Sequence, residues 1–152
     1  MMITYKRLFL TLLSMLFMMS VFSVVLAEPD EEDTFYIIVN KNNSIETITI
    51  GQLSRVFTKK TKKFDNGVAA LPIAQRASRS VTQLFNLRVL KKNAKQLKYY
   101  WSRKMFSGSS KPPKALSSDM EVEKFVASLQ NAIGYVSQLP TSTQVKVLTV
   151  EP

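Results

Sequence analysis

Between Arg76 and Thr82 the chain reads RASRSVT, two arginines among three hydroxyls, and it then runs into QLFNLRVL. Val81, Leu84, Phe85 and Val89 recur there at helical spacing, and the apolar VAALPIAQ just before (68–75) reads as a short strand. A strand-to-helix junction is therefore expected at this stretch, with a helix over 79–90. The start of a helix leaves backbone N–H groups without intrahelical partners and carries the positive end of the dipole, so it accepts an oxyanion. Arg76 offers a planar fork for bidentate pairing, and Ser80 and Thr82 offer hydroxyl donors. The plainer alternative is that Ser78 or Ser80 merely caps the helix, Ser80 with Gln83 as a capping box, while both arginines are solvated. Spacing alone leaves both open.

Other chemistry is narrowed by what the chain lacks. There is no histidine and no cysteine, so imidazole general bases, disulfides and the common zinc and copper ligand sets are ruled out. No Ser-x-x-Lys pattern, Gly-x-Gly-x-x-Gly run or P-loop occurs. Asp119, Glu121 and Glu123 cluster in what reads as the first turn of a helix, where carboxylates favour the positive dipole end rather than marking an acid/base pair. A non-enzymatic protein without cofactor or metal is expected.

The N-terminus opens with Lys6 and Arg7, continues through an almost wholly apolar Leu8–Leu26, and ends in the small-residue site Val25-Leu26-Ala27. That is the pattern of a signal peptide over 1–27 cleaved after Ala27, although the run is also long enough for a retained anchor. Either way the remainder is expected outside the cytoplasm, in the periplasm. Residues 28–33, EPDEED, hold nothing apolar to bury and read as an acidic disordered tail. Residues 34–150 suffice for one compact domain. The formal charge of +10 suggests an anionic partner, and export argues against nucleic acid.

Within that domain TFYIIVN (34–40) reads as a buried strand, and Thr49 with Gln52 caps a short helix bearing Leu53, Val56 and Phe57. TKKTKKFDNG (58–67) is a basic loop ending in a turn. After the 79–90 helix, Asn93 with Gln96 caps a second one carrying Leu97, Trp101 and Met105, and Ser118 with Glu121 caps a third carrying Val122, Phe125, Val126 and Leu129. SGSSKPPK (107–114) reads as loop, and AIGYVSQ (132–138) and VKVLTV (145–150) as strands. Pro72 points to an edge or irregular position, and Gly134 to a close approach of backbone or ligand. Strands alternating with helices argue an α/β fold, a small mixed sheet covered by helices.

The stretches YIIVN, ITIGQLSRVFTKKTKKFDNG, LPIAQRASRSVTQLF and KPPKALSSDMEVEKFVASLQNAIGYV together resemble the phosphate-binding periplasmic proteins of ABC transporters, which share the type II solute-binding fold. In that family an Arg-x-Asp-x-Ser-Gly-Thr segment opens a helix and ligates phosphate. Arg76, Ser80 and Thr82 fall on its arginine, serine and threonine, so the resemblance implies a ligand role for them. Ser78 stands where the family has aspartate, which bears on selection of phosphate over sulfate, and Val81 stands where it has glycine, which would narrow the pocket. The resemblance covers one lobe of a two-lobed protein, and the first lobe's Gly/Ser-rich phosphate loop is not found here. Weak binding of phosphate or another oxyanion is the expectation, because half a site on an open surface leaves its charges screened. If transport is involved, a second chain or a membrane component of the transporter must complete the cleft. A rival expectation is an envelope adapter that kept the fold and lost the ligand, docking on an acidic partner or weakly on anionic lipid through the lysines at 59–63 and Lys91, Lys92, Lys95 and Lys98.

Overall fold

The computed structural model describes residues 34–152. The proposed signal peptide and acidic tail lie outside the described residues. Seven strands and four helices follow in the order β1 (Tyr36–Asn40), β2 (Thr47–Thr49), α1 (Ile50–Phe57), β3 (Leu71–Gln75), α2 (Ser80–Arg88), α3 (Ala94–Phe106), β4 (Lys114–Leu116), α4 (Asp119–Ser128), β5 (Ala132–Val136), β6 (Val145–Val147) and β7 (Thr149–Glu151). The main sheet has the order β4-β3-β5-β1-β6. Its β4, β3 and β5 run parallel, while β1 is antiparallel to both β5 and β6. The mixed α/β architecture expected from the sequence is the one observed.

Each face of this sheet has its own core. Ile37 and Val39 of β1, with Ile133 and Tyr135 of β5, pack against Leu53, Val56 and Phe57 of α1, Val81 and Phe85 of α2 and Leu97 of α3. On the opposite face Ile38, Ile73, Ala132 and Val136 pack against Val122 and Val126 of α4. Both side-chain directions of β1 and β5 are therefore buried, which is why YIIV and AIGYV are continuous apolar runs without polar alternation. Where β1 ends, the Asn40 amide donates to the carbonyls of Val126 and Ala127 at 3.1 and 2.8 Å, closing the exposed end of α4.

Several elements depart from the sequence expectation for identifiable reasons. VKVLTV is two strands, because Leu148 turns inward with its N–H on the Ile37 carbonyl at 2.8 Å, and the chain beyond it leaves β1 to pair with β2. Lys114, expected as the last residue of the 107–114 loop, opens β4, which adds to β3. Pro72 lies in an interior strand, yet β4 begins pairing only at Ile73, so the ladder position that Pro72 cannot serve is open on that side.

Gly134 marks a close approach by a helix. A Cβ built there would stand 2.5 Å from Val122 Cγ1 and 3.3 Å from Val126 Cγ2, so α4 sits on β5 at a separation only a bare Cα permits. Gly134→Ala is expected to cost about 1–3 kcal/mol of stability through overpacking, despite the better strand propensity of alanine. Urea unfolding measures this as a lower midpoint with the slope unchanged.

Candidate functional site

β3 ends at Gln75, and the Arg76 N–H donates to the Leu116 carbonyl of β4 at 2.9 Å. The Arg79 N–H then reaches back to the Arg76 carbonyl at 3.0 Å, a tight turn that launches α2 at Ser80. The expected Ser80–Gln83 capping box does not form. Arg79 occupies the N-cap in extended conformation and makes no side-chain cap, because a guanidinium has only donors and cannot accept from the helix amides; it donates instead to Gln75 Oε1 at 3.2 Å and Asp119 Oδ1 at 3.5 Å. In contrast, Thr49, Asn93 and Ser118 cap α1, α3 and α4 with their side chains, Asn93 and Gln96 in a full capping box. Of the first-turn amides of α2, that of Thr82 donates to the Arg79 carbonyl at 3.1 Å, and those of Ser80 and Val81 are left without an intrahelical acceptor.

Around that open end Arg76, Ser78 and Ser80 are exposed. Among the described residues no ion pair engages the Arg76 guanidinium. Val81 and Thr82 are placed differently from the other three. Val81 is buried in the main core, so its side chain is directed into packing and does not narrow the open end as expected. Thr82 is 4% exposed, and its Oγ1 accepts from the Tyr135 hydroxyl at 3.1 Å. It lines a cavity of about 280 Å³ walled by Phe57, Phe85, Trp101, Pro112 and Pro113, which neither Arg76 nor Ser80 reaches. The three residues aligned with the family's ligand set therefore do not converge: two face solvent and one lies beneath.

The group below the helix end is one that sequence reasoning missed. Gln75 N–H donates to the Tyr135 hydroxyl at 3.0 Å, and its Nε2 donates to the Tyr135 carbonyl at 3.0 Å and to Asp119 Oδ1 at 2.7 Å. Asp119 Oδ2 also accepts from Ser137 N at 2.9 Å, Ser137 Oγ at 2.6 Å and Gln138 N at 3.3 Å. Burial pushes the Asp119 pKa up, but the hydrogen bonds from Ser137, Gln75 and Gln138 outweigh it and hold the carboxyl below the usual aspartate value. The Arg79 contact is long and half-solvated, and it adds little. Burial raises the Tyr135 phenol, so its proton stays available to Thr82. Asp119 is thus a bridge between strand ends more than a ligand of the helix dipole. The available signal was a glutamine and a tyrosine inside otherwise apolar strands, where a polar group must find partners.

Glu121 sets the outer rim. The Ser118 half of the expected box forms, with the Glu121 N–H on Ser118 Oγ at 3.2 Å, but the Glu121 carboxylate accepts from the Ser117 N–H and hydroxyl at 2.8 and 2.7 Å, one residue before the cap. Those bonds, with a smaller contribution from the charges of Arg76 and Lys114, lower its pKa. Arg76 therefore stands in the field of a carboxylate. Among the described residues there is no cluster of acids able to hold a metal ion.

No family model and no curated protein matches this sequence. Solved structures do match it in fold. A putative phosphate ABC transporter substrate-binding protein with bound phosphate from Clostridium perfringens aligns over 76% of this chain and 44% of its own, at 16% identity and a TM-score of 0.57. An ABC-type phosphate transport receptor from Vibrio cholerae aligns over 76% and 45%, at 15% identity and a TM-score of 0.54. PstS from Borrelia burgdorferi aligns over 76% and 46%, at 14% identity and a TM-score of 0.55. The chain has the fold of these phosphate-binding proteins and spans less than half their length.

Asp119→Asn separates the polar bridge from the helix end. A carboxyl held below its unfolded pKa contributes stability that is full above about 3.9 and is lost as pH falls through the lower folded value. The asparagine variant is expected to lose about 1–3 kcal/mol at pH 7 and to show a shallower decline of stability on the acid side. Urea unfolding across about pH 7 to 2.5 measures both.

Proposed function

We propose that this chain is an exported oxyanion-binding domain, with phosphate its first candidate ligand, held at the start of α2. The observation carrying this reading is the open helix end: among the four described helices α2 lacks a side-chain cap, and Arg76, Ser78 and Ser80 stand exposed around its free amides. Arg76 provides the bidentate fork, Ser80 and Ser78 the hydroxyl donors, and the amides of Ser80 and Val81 the backbone cradle. Thr82 supports the helix from below through Tyr135 and does not touch the anion directly. No catalytic step belongs to this role.

The likeness of fold to proteins named for phosphate transport, one of them solved with phosphate bound, supports the assignment. The exposure of Arg76, Ser78 and Ser80 makes this an open site with affinity on the order of millimolar, where water is not excluded and charges are screened. A second chain or a transporter component supplies the opposing wall where tight capture is needed. Ser78, standing at the family's aspartate position, can both donate and accept, so phosphate and sulfate are recognised alike.

Thermal melting of the domain in phosphate, sulfate and chloride tests this reading. Phosphate and sulfate at several times the dissociation constant are expected to add about 1 kcal/mol over chloride at matched ionic strength, and Arg76→Ala to abolish the gain. Identical melting in all three salts, unmoved by the substitution, excludes the site.

A further inference from the structure

Helix α3 is the least buried of the described helices. Of its thirteen residues only Leu97 is buried, and Tyr99, Met105 and Phe106 are 66, 50 and 98% exposed. It is pinned along one edge, where the Tyr100 hydroxyl and Lys104 ammonium donate to the Thr58 carbonyl at 2.8 and 3.1 Å, with Lys104 also on the Lys59 carbonyl. That brings the lysine loop at 59–63 beside α3, and the crowding shows in Lys59, whose pKa is lowered by burial and by the charges of Lys62 and Lys104. From Asn66 to Ser118 the chain contains no acidic residue at all. A groove of about 560 Å³ runs along the helix, lined by Lys92, Gln96, Tyr99, Tyr100, Arg103 and Lys104.

We infer that this face docks on an anionic phospholipid surface, with headgroup phosphates in the Lys92–Arg103 groove and Tyr99 and Phe106, which lie on the same side of the helix, entering the interfacial layer. Cations interleaved with exposed aromatic side chains are what interfacial binding requires, charge for the headgroups and apolar tips for the acyl boundary. A protein partner is usually read through mixed charges that fix a register. A face of one sign with isolated apolar tips fixes none and suits a fluid sheet.

The test is co-sedimentation of residues 28–152, which contain every described strand, helix and core residue, with vesicles of phosphatidylcholine alone or with about one-third phosphatidylglycerol. Binding is expected only to the anionic vesicles, with release by about 0.5 M salt. Lys95→Glu combined with Arg103→Glu is expected to weaken it at least about tenfold. Phe106→Ser, at a fully exposed position that leaves the fold intact, is expected to weaken it several-fold at constant charge. Arg76→Ala and added free phosphate are expected to leave binding unchanged, which separates this face from the α2 anion site. Equal binding to both vesicle types, no binding to anionic vesicles at low salt, loss of binding on Arg76→Ala, or indifference to charge reversal would each overturn the inference. Capture by an acidic protein without vesicle binding would overturn it in favour of a protein surface.

Discussion

The organisation of this end of the domain depends on the buried hydrogen-bonded set formed by Gln75, Tyr135 and Asp119. Gln75 and Tyr135 are 2% and 1% exposed at the ends of neighbouring strands, and a polar group so placed costs several kcal/mol if left without partners. Their mutual bonds, together with the stacking of Tyr135 on Phe85 at 4.2 Å and 12°, tie β3 and β5 to the first turns of α2 and α4. Removing the Tyr135 hydroxyl would leave the buried Gln75 N–H without its acceptor and Thr82 Oγ1 without its donor, so the members are coupled.

That unit shapes the candidate site. The Arg79 side chain at the N-cap has no acceptor to offer the amides of α2 and turns to Gln75 and Asp119 instead, so the Ser80 and Val81 amides beside Arg76, Ser78 and Ser80 are left without an intrahelical acceptor. Because Thr82 is held by Tyr135, its hydroxyl lies under the helix and faces an apolar cavity. The cap residue thus leaves the helix end open, and the network withdraws one hydroxyl from it. The proposed anion position is therefore shallow and lined by exposed side chains.

The two sheet faces divide the remaining labour unequally. α4 is set tightly on β5 through the bare Cα of Gly134 and closed by Asn40, whereas α3 contributes one buried leucine and a set of edge contacts. A loosely seated, strongly basic helix at the surface has most of its circumference available to something outside the chain.

Much of the fold could be read directly from residue order. Continuous apolar runs at 36–40 and 132–136 marked strands buried on both faces, and Thr49, Asn93 and Ser118 marked helix starts, because these signals act over a few residues and need no distant partner. Strands of three residues such as β2 and β4 were not legible, since their pairing rather than their propensity makes them strands. The sequence by itself determined the α/β class, a helix start within RASRSVT, the absence of histidine and cysteine chemistry and the excess of positive charge. Tertiary structure alone decided which of Arg76, Ser78, Ser80, Val81 and Thr82 reach solvent, and that Arg79 is held by a carboxylate forty residues away. The physical reason is that burial and hydrogen-bond satisfaction are properties of the packed chain: a threonine two residues into a helix faces an anion or a tyrosine according to what the neighbouring strand places beneath it.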